Sequence, residues 1–514
     1  MTASSRRRAR GADSAKRGAS AGRDGAYDLG GERGHVRRAR PSRLASSIPA
    51  VMLGLALAAP PARADDSADD RRRAFKLLRD DENWAWLRAP HPTRDVFDPI
   101  KYLRLSHQRD DLYLSIGGEA RQWVEAYQNE LWGSTGFVDN VYWLQRYMLH
   151  AELRLTRYVR VFVQLKSGIE VGRLGGPRPI DEDYLDANQA YFDIDALPAA
   201  TLDGTPRLTI RIGRQELSYG SGRLIDVREG PNVRFGLDGV RLRSHVGPLR
   251  LDAFVVRPDL TKRGVFDDGW DTSQLFWGAW ATVDIPRLLV DAYYLGLDRA
   301  HAVYEQGMGH ELRHTVGARL VLRIAGSLLR LEAEGAYQFG RFLDGDISAW
   351  TAATSAVVTL ERVRLRPQIT AGAGVTSGDR DPNDRELNTF SPLFPTGSYF
   401  GLIGANGPSN NIGAHLAVAL KLPKSVSVIV ESWVFFRESL GDGVYNVPGY
   451  LLRRGAGNPA RYLGAQLAPF VAWDIDRHLS LHGTVAYFWA GDFFRMSSPG
   501  QNTTYGALWA TYKF

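Results

Sequence analysis

The sequence predicts an all-β fold: a closed, transmembrane antiparallel β-barrel of about 18 strands, with long extracellular loops and short periplasmic turns. Three observations lead there. Hydropathy alternates with period two from near Leu112 to the C-terminus. The connections between alternating segments are short and long by turns. Beyond residue 64, no stretch approaches the roughly 18 to 20 apolar residues that a membrane helix needs. A closed sheet pairs every backbone amide, so it crosses lipid without helices. The 514 residues are 44% hydrophobic and 24% charged with no cysteine, which excludes a disordered or disulfide-stapled chain.

Residues 1–64 read as an N-terminal extension and signal peptide. Arg37, Arg38, Arg40 and Arg43 precede the apolar stretch Ile48–Ala59, and Ala62 and Ala64 are the small residues of a cleavage site after Ala64. The basic excess lies in this leader, and the remainder is nearly balanced, so no nucleic-acid partner is expected. Residues 65–110 form a periplasmic N-terminal segment and 111–514 the barrel. After removal of the leader the chain is expected to be integral to the bacterial outer membrane.

Candidate strands begin near residues 112, 141, 159, 188, 208, 237, 249, 274, 288, 311, 328, 347, 363, 409, 426, 461, 479 and 504. Short turns such as Arg157-Tyr158 and Val246-Gly247-Pro248 alternate with long polar loops such as 218–236 and 377–408. In the last strand Leu508, Ala510, Tyr512 and Phe514 share one face. Tyr512 and Phe514 resemble the C-terminal assembly signal of bacterial outer-membrane proteins, which makes the barrel-assembly machinery a partner. Tyr487, Phe488, Trp489, Trp509 and Tyr512 are expected in girdles against outer-membrane lipid.

The inward faces carry Arg121, Arg146, Arg154, Lys166, Arg211, Arg241, Arg243, Arg313, Arg319, Arg323, Arg330, Arg364 and Arg366, taken as anion-binding, pore-lining candidates. Guanidinium is permanently charged and forks onto carboxylates, so a ladder of Arg suits an organic anion. Glu119, Glu125, Glu152, Asp193, Asp252, Glu332, Glu334 and Glu431 share those faces and neutralise part of the ladder. No P-loop, zinc HExxH or nucleophile elbow occurs, so no catalytic residue and no cofactor are expected. His150, His314, His415 and His482 read as wall residues. Asp379, Asp381 and Asp384 are a weak calcium candidate; solvated loop carboxylates are the stronger reading, and no metal is expected.

Several blocks in order carry a family resemblance: Tyr113–Glu119 with Arg121, Gln164–Glu170, Gly175–Asp183, Arg211–Leu217, Tyr219–Arg228, Gly230–Arg234 and Asp238–Arg241, then Tyr337–Gly340, Ser377–Arg380 and Phe394-Pro395-Thr396. Together they resemble the bacterial alginate-export family, outer-membrane porins related to the alginate exporter. The resemblance implies a barrel with an electropositive pore for acidic polysaccharide. The alginate exporter resembles a gated pore with a long periplasmic plug loop before its last two strands, whereas here that turn is only 474–478. The expected function is a passive channel exporting an anionic polysaccharide such as alginate, or passing related organic anions. Export would add periplasmic polymer-synthesis proteins as partners. The alternative is a general or uptake porin for small solutes, with a barrel enzyme last.

Overall fold

The computed structural model describes residues 74–89, 95–202, 204–324, 328–401 and 403–514. The expected signal peptide and the cleavage residues Ala62 and Ala64 read from the sequence lie outside these. Eighteen long strands form one antiparallel sheet. In chain order they are β1 (Tyr113–Gln128), β2 (Asp139–Thr156), β3 (Val159–Val171), β4 (Asp183–Leu197), β5 (Leu208–Gln215) and β6 (Leu237–Val246). Next come β7 (Leu249–Leu260), β8 (Gln274–Ile285), β9 (Leu288–Tyr304), β10 (Gly307–Ile324), β11 (Leu329–Phe342) and β12 (Gly345–Thr359). The last six are β13 (Gln368–Thr376), β14 (Asn411–Leu422), β15 (Val426–Phe436), β16 (Tyr462–Asp474), β17 (Leu479–Ala490) and β18 (Thr503–Lys513). Each pairs with the next, and β18 returns to β1 in a register that sets Trp123 opposite Trp509, so the sheet closes without an edge. Phe514 extends the seam by exchanging backbone hydrogen bonds with Gly118.

Alternation decides which way each side chain points. In β2, Tyr142, Leu144, Arg146, Met148 and His150 are buried inside, while Trp143, Tyr147 and Leu149 are exposed outside. The same period corrects the expected girdle. Phe488 lies on the face of Ala486 and Ala490, and Trp509 stacks on Trp123 at 5.4 Å, so both fill the interior. Trp489 and Tyr512 do face outward, with Trp143, Tyr337, Trp350 and Trp473. No helix among the described residues is long and apolar enough to cross a membrane.

One strand starts later than its hydropathy suggests. Leu365 and Arg366 adopt positive φ, Leu360 bonds back to the Pro367 carbonyl, and β13 begins only at Gln368. Arg364 and Arg366 therefore lie exposed on a turn, not on the inward face. A proline without an N–H and two left-handed residues cannot continue a ladder.

Candidate functional site: the barrel lumen

The interior is a cylinder of inward side chains into which three long loops and the N-terminal segment fold. The strands place the arginines, because every second residue of a strand must face in. What they meet comes from elsewhere in the chain.

Arg121 of β1 and Arg146 of β2 lie opposite each other in register and are both fully buried. The loop 216–236 turns its backbone onto them. Arg121 donates to the carbonyls of Glu229 (2.9 Å), Gly230 (3.1 Å) and Pro231 (3.0 Å), and Arg146 to that of Glu229 (3.1 Å). Arg146 also forks onto Glu119 of its own wall at 2.5 Å and reaches the Glu229 carboxylate. Asn232 donates to the Gln145 carbonyl at 2.7 Å, and Arg234 pairs with Glu216 at 2.7 Å. These residues include the Gly230–Arg234 block that carries the family resemblance: it is a latch seated on arginines.

A second loop, 377–410, docks against the first. Phe394 and Ile225 form a parallel bridge, and Thr396 donates its N–H to the Gly222 carbonyl. Gln338 of β11 holds this loop by exchanging hydrogen bonds with Ser391, while Arg313 donates to the Thr389 carbonyl at 3.2 Å. The third loop, 437–461, is tied in through Asp442, which accepts from Thr389 and Tyr445 at 2.6 Å and from the Asp379 N–H at 2.9 Å.

The short-turn end is occupied differently. The first described residues enter between the arginines of β3, β5 and β6. Asp80 accepts from Arg211 at 2.5 Å and from the Tyr191 hydroxyl at 2.9 Å, and its carbonyl accepts from Arg160 at 2.8 Å. Asp81 accepts from Arg243 at 3.0 Å. Burial would raise the Asp81 carboxyl, but Arg243, with Arg211 and Arg241 nearby, holds it below the usual carboxylate range.

The remaining candidates pair within the wall. Arg154 meets Asp195, Arg241 meets Asp252, and Arg319 bridges Asp291 and Glu332 at 2.8 Å. Arg330 binds Glu332, and Arg323, half-exposed at the rim, binds Asp284. Lys166 is ringed by Asp268 (2.8 Å), Asp183 (3.2 Å) and Asp259 (3.3 Å) and acts as a tethered cation among them. The calcium candidates do not converge: Asp381 caps Asn383, Asp384 caps Glu386, and Asp379 turns inward.

Sequence reasoning missed the opposite wall. Around β12 to β14 the inward residues are small: Thr351, Ala353 and Ser355, then Thr370, Gly372 and Gly374, then Gly413, Ala417 and Ala419, joined in register across the strands. His415 is the larger residue in the middle of these rows and stacks on Trp433 at 4.4 Å, while Ile347, Val357 and Gln368 lie toward the strand ends. A cavity beside this wall is lined by Ala353, Gly374, His415, Trp433, Tyr399 and the loop residue Arg223. The signal was present as alternating Ala, Gly, Ser and Thr, but small residues carry no chemistry to draw attention. The lumen thus has an arginine-rich wall covered by the chain's own oxygens and an uncharged wall that keeps its bulk out of the middle.

The alginate export family model matches residues 112–507. No curated protein sequence matches the chain. Among solved structures, the barrel is similar to OccK3 (OpdO) of Pseudomonas aeruginosa, with 13% identity, TM-score 0.53, and 78% of this chain and 95% of that one covered. It is similar to OccD3 (OpdP) of the same organism, with 12% identity, TM-score 0.52, and 81% and 93% covered. OccAB2 of Acinetobacter baumannii gives 10% identity, TM-score 0.54, and 78% and 98% covered.

Proposed function

The chain belongs to the alginate export family, an outer-membrane β-barrel channel rather than an enzyme, and from that premise we propose that it passes anionic saccharide, an acidic polysaccharide such as alginate or related organic anions, without coupling to an energy source. The observation that carries this reading is the set of arginines on β1, β2, β3, β5 and β6, Arg121, Arg146, Arg160, Arg211 and Arg243, whose forks hold carboxylate and carbonyl oxygens. A uronate offers the same oxygens, and many weak sites in series let an anion both enter and leave. Export is supported by family membership alone. On this reading the chain is an integral outer-membrane protein inserted by the barrel-assembly machinery and fed by periplasmic polymer-synthesis proteins.

The uncharged wall of β12 to β14 and the inward carboxylates that neutralise Arg154, Arg241 and Arg319 favour a second reading, a general or uptake porin for small solutes. Planar-bilayer recording of the refolded chain under a salt gradient, with and without oligouronates, separates the two. Anion-selective steps blocked by oligouronates support the polysaccharide channel; unselective steps indifferent to them leave the general porin.

A further inference from the structure

Tyr191, Arg211 and Arg243 bind carboxylates, and Arg160 the Asp80 carbonyl, in a cage at the short-turn end of the lumen whose occupant belongs to the chain itself. Asp80 is 3% exposed and Arg211 fully buried, so the carboxylate sits in a desolvated site where a guanidinium binds strongly. The wall supplies Asp193 to Arg160 and Arg211, yet among the described ion pairs Arg243 has only Asp81 as an acidic partner. The cage is therefore completed by a segment that is not part of the barrel wall. Elsewhere along the segment Arg79 reaches the Gly118 and Phe514 carbonyls, Arg234 the Leu77 carbonyl and Asn83 the Leu202 carbonyl, and Phe75 lies against His478. Ala85 and the indoles of Trp84 and Trp86 follow it into the interior.

Two consecutive carboxylates on an extended strip of chain present the minimal pattern of a polyanion. A polymer bearing a carboxylate on every residue offers the same groups many times over, and multivalency lets it compete with a tethered pair. We propose that Asp80 and Asp81 are an internal ligand of a carboxylate-binding site made by Tyr191, Arg211 and Arg243, and that a polyuronate arriving at this end displaces them and frees the lumen. This inference rests on the anion-channel reading above and adds the entry site and its gate. The displacement exchanges one set of carboxylate–guanidinium hydrogen bonds for another, so the cost of leaving buried arginines unpaired is never incurred.

The test records the full mature chain and the Asp80→Asn/Asp81→Asn variant in planar bilayers, with oligouronates added from the short-turn side. The expected result is a several-fold higher open occupancy of the variant without oligouronate, and a response to oligouronate at several-fold lower concentration. Equal occupancy and equal oligouronate response in the two proteins overturn the gate while leaving the anion channel intact. Absence of anion preference and of any oligouronate response in both proteins sinks the anion-channel reading instead. A second variant covers poor assembly of the first: the chain has no cysteine, so Ala85→Cys places a single thiol at a fully buried position. Its alkylation by a water-soluble maleimide should quicken several-fold when oligouronate is bound; an unchanged rate under the same conditions overturns displacement.

Discussion

Arg146 shows how an inward arginine differs from a pore-lining charge in water. Its guanidinium is fully buried between Glu119 of the wall and Glu229 of the inserted loop. Arg146→Gln should take the nearest cation from two carboxylates, leaving Glu119 only Lys513 and Glu229 only Arg234 among the described ion pairs, cost about 3 kcal/mol of stability, and loosen the loop; denaturant titration of the refolded barrel measures it. Arg366→Gln, on an exposed turn, should leave both stability and reversal potential unchanged. Alternation along β2 was enough to place Arg146 inside, but its partners stand 27 and 83 residues away and no local pattern encodes them. Lys101 was not legible at all. It is 1% exposed over the rings of Phe75, Trp84 and Phe514, and its amine makes no hydrogen bond among the described residues. Burial, then the nearby Arg79, lowers it from 10.5 to about 7. Folding is thus disfavoured in full below pH 7 and progressively less as pH rises toward 10.5. Lys101→Met should raise stability at neutral pH by about 1 to 3 kcal/mol, a gain that fades in alkali.

At the scale of elements, strand positions were legible to within a few residues, because a two-faced wall imposes period two wherever one side meets lipid and the other does not. Loop positions were not, since polar composition is the same for a loop that waves in solvent and one that folds inward. Gly213 is an exception within the Arg211–Leu217 block. Its φ is +131°, and a Cβ there would lie 2.3 Å from the Ala190 carbonyl of the paired strand. Gly213→Ala should cost at least about 1 to 3 kcal/mol and lower the yield of folded, heat-modifiable barrel on gels. Among the loops, Asp379 is fully buried, with neither carboxylate oxygen hydrogen-bonded among the described residues. Burial, then Asp442 and Asp384, raises it from 3.8 to about 7. Glu438, which accepts from the Gly378 N–H, adds another acid beside it, while Arg437 grips the Asp442 backbone on the far side. The folded loop therefore binds a proton that the unfolded loop has lost, and the stability this group contributes disappears as pH rises from 3.8 through 7. Amide protection factors at residues 377–390, taken relative to the intrinsic base-catalysed exchange rate, should fall over that interval, and Asp379→Asn should remove that fall.

The whole molecule divides its interior between two unlike walls, and this division decides where a solute can travel. On the β1 to β6 side, buried arginines are covered by the loop 216–236 and by Asp80 and Asp81. On the β12 to β14 side, the middle of the wall is lined by Thr351, Ala353, Ser355, Thr370, Gly372, Gly374, Gly413 and Ala417, with His415 the larger residue among them. Charge drew the reading of the sequence to the first wall; the second follows only once closure sets these strands across the lumen from the ladder. Permeation along the small-residue wall makes a sharp prediction, because neighbouring residues of one strand face opposite solvents. Ala353 points into the lumen beside Gly374, whereas Ala352 faces outward in the row of Trp350. Ala353→Trp should cut single-channel conductance severalfold, since an indole there fills the cavity between this wall and the loop residues Tyr399 and Arg223. Ala352→Trp adds the same bulk to the lipid face and should leave conductance at the level of the unsubstituted protein. Equal conductance for both variants would move the passage away from this wall and toward the arginines.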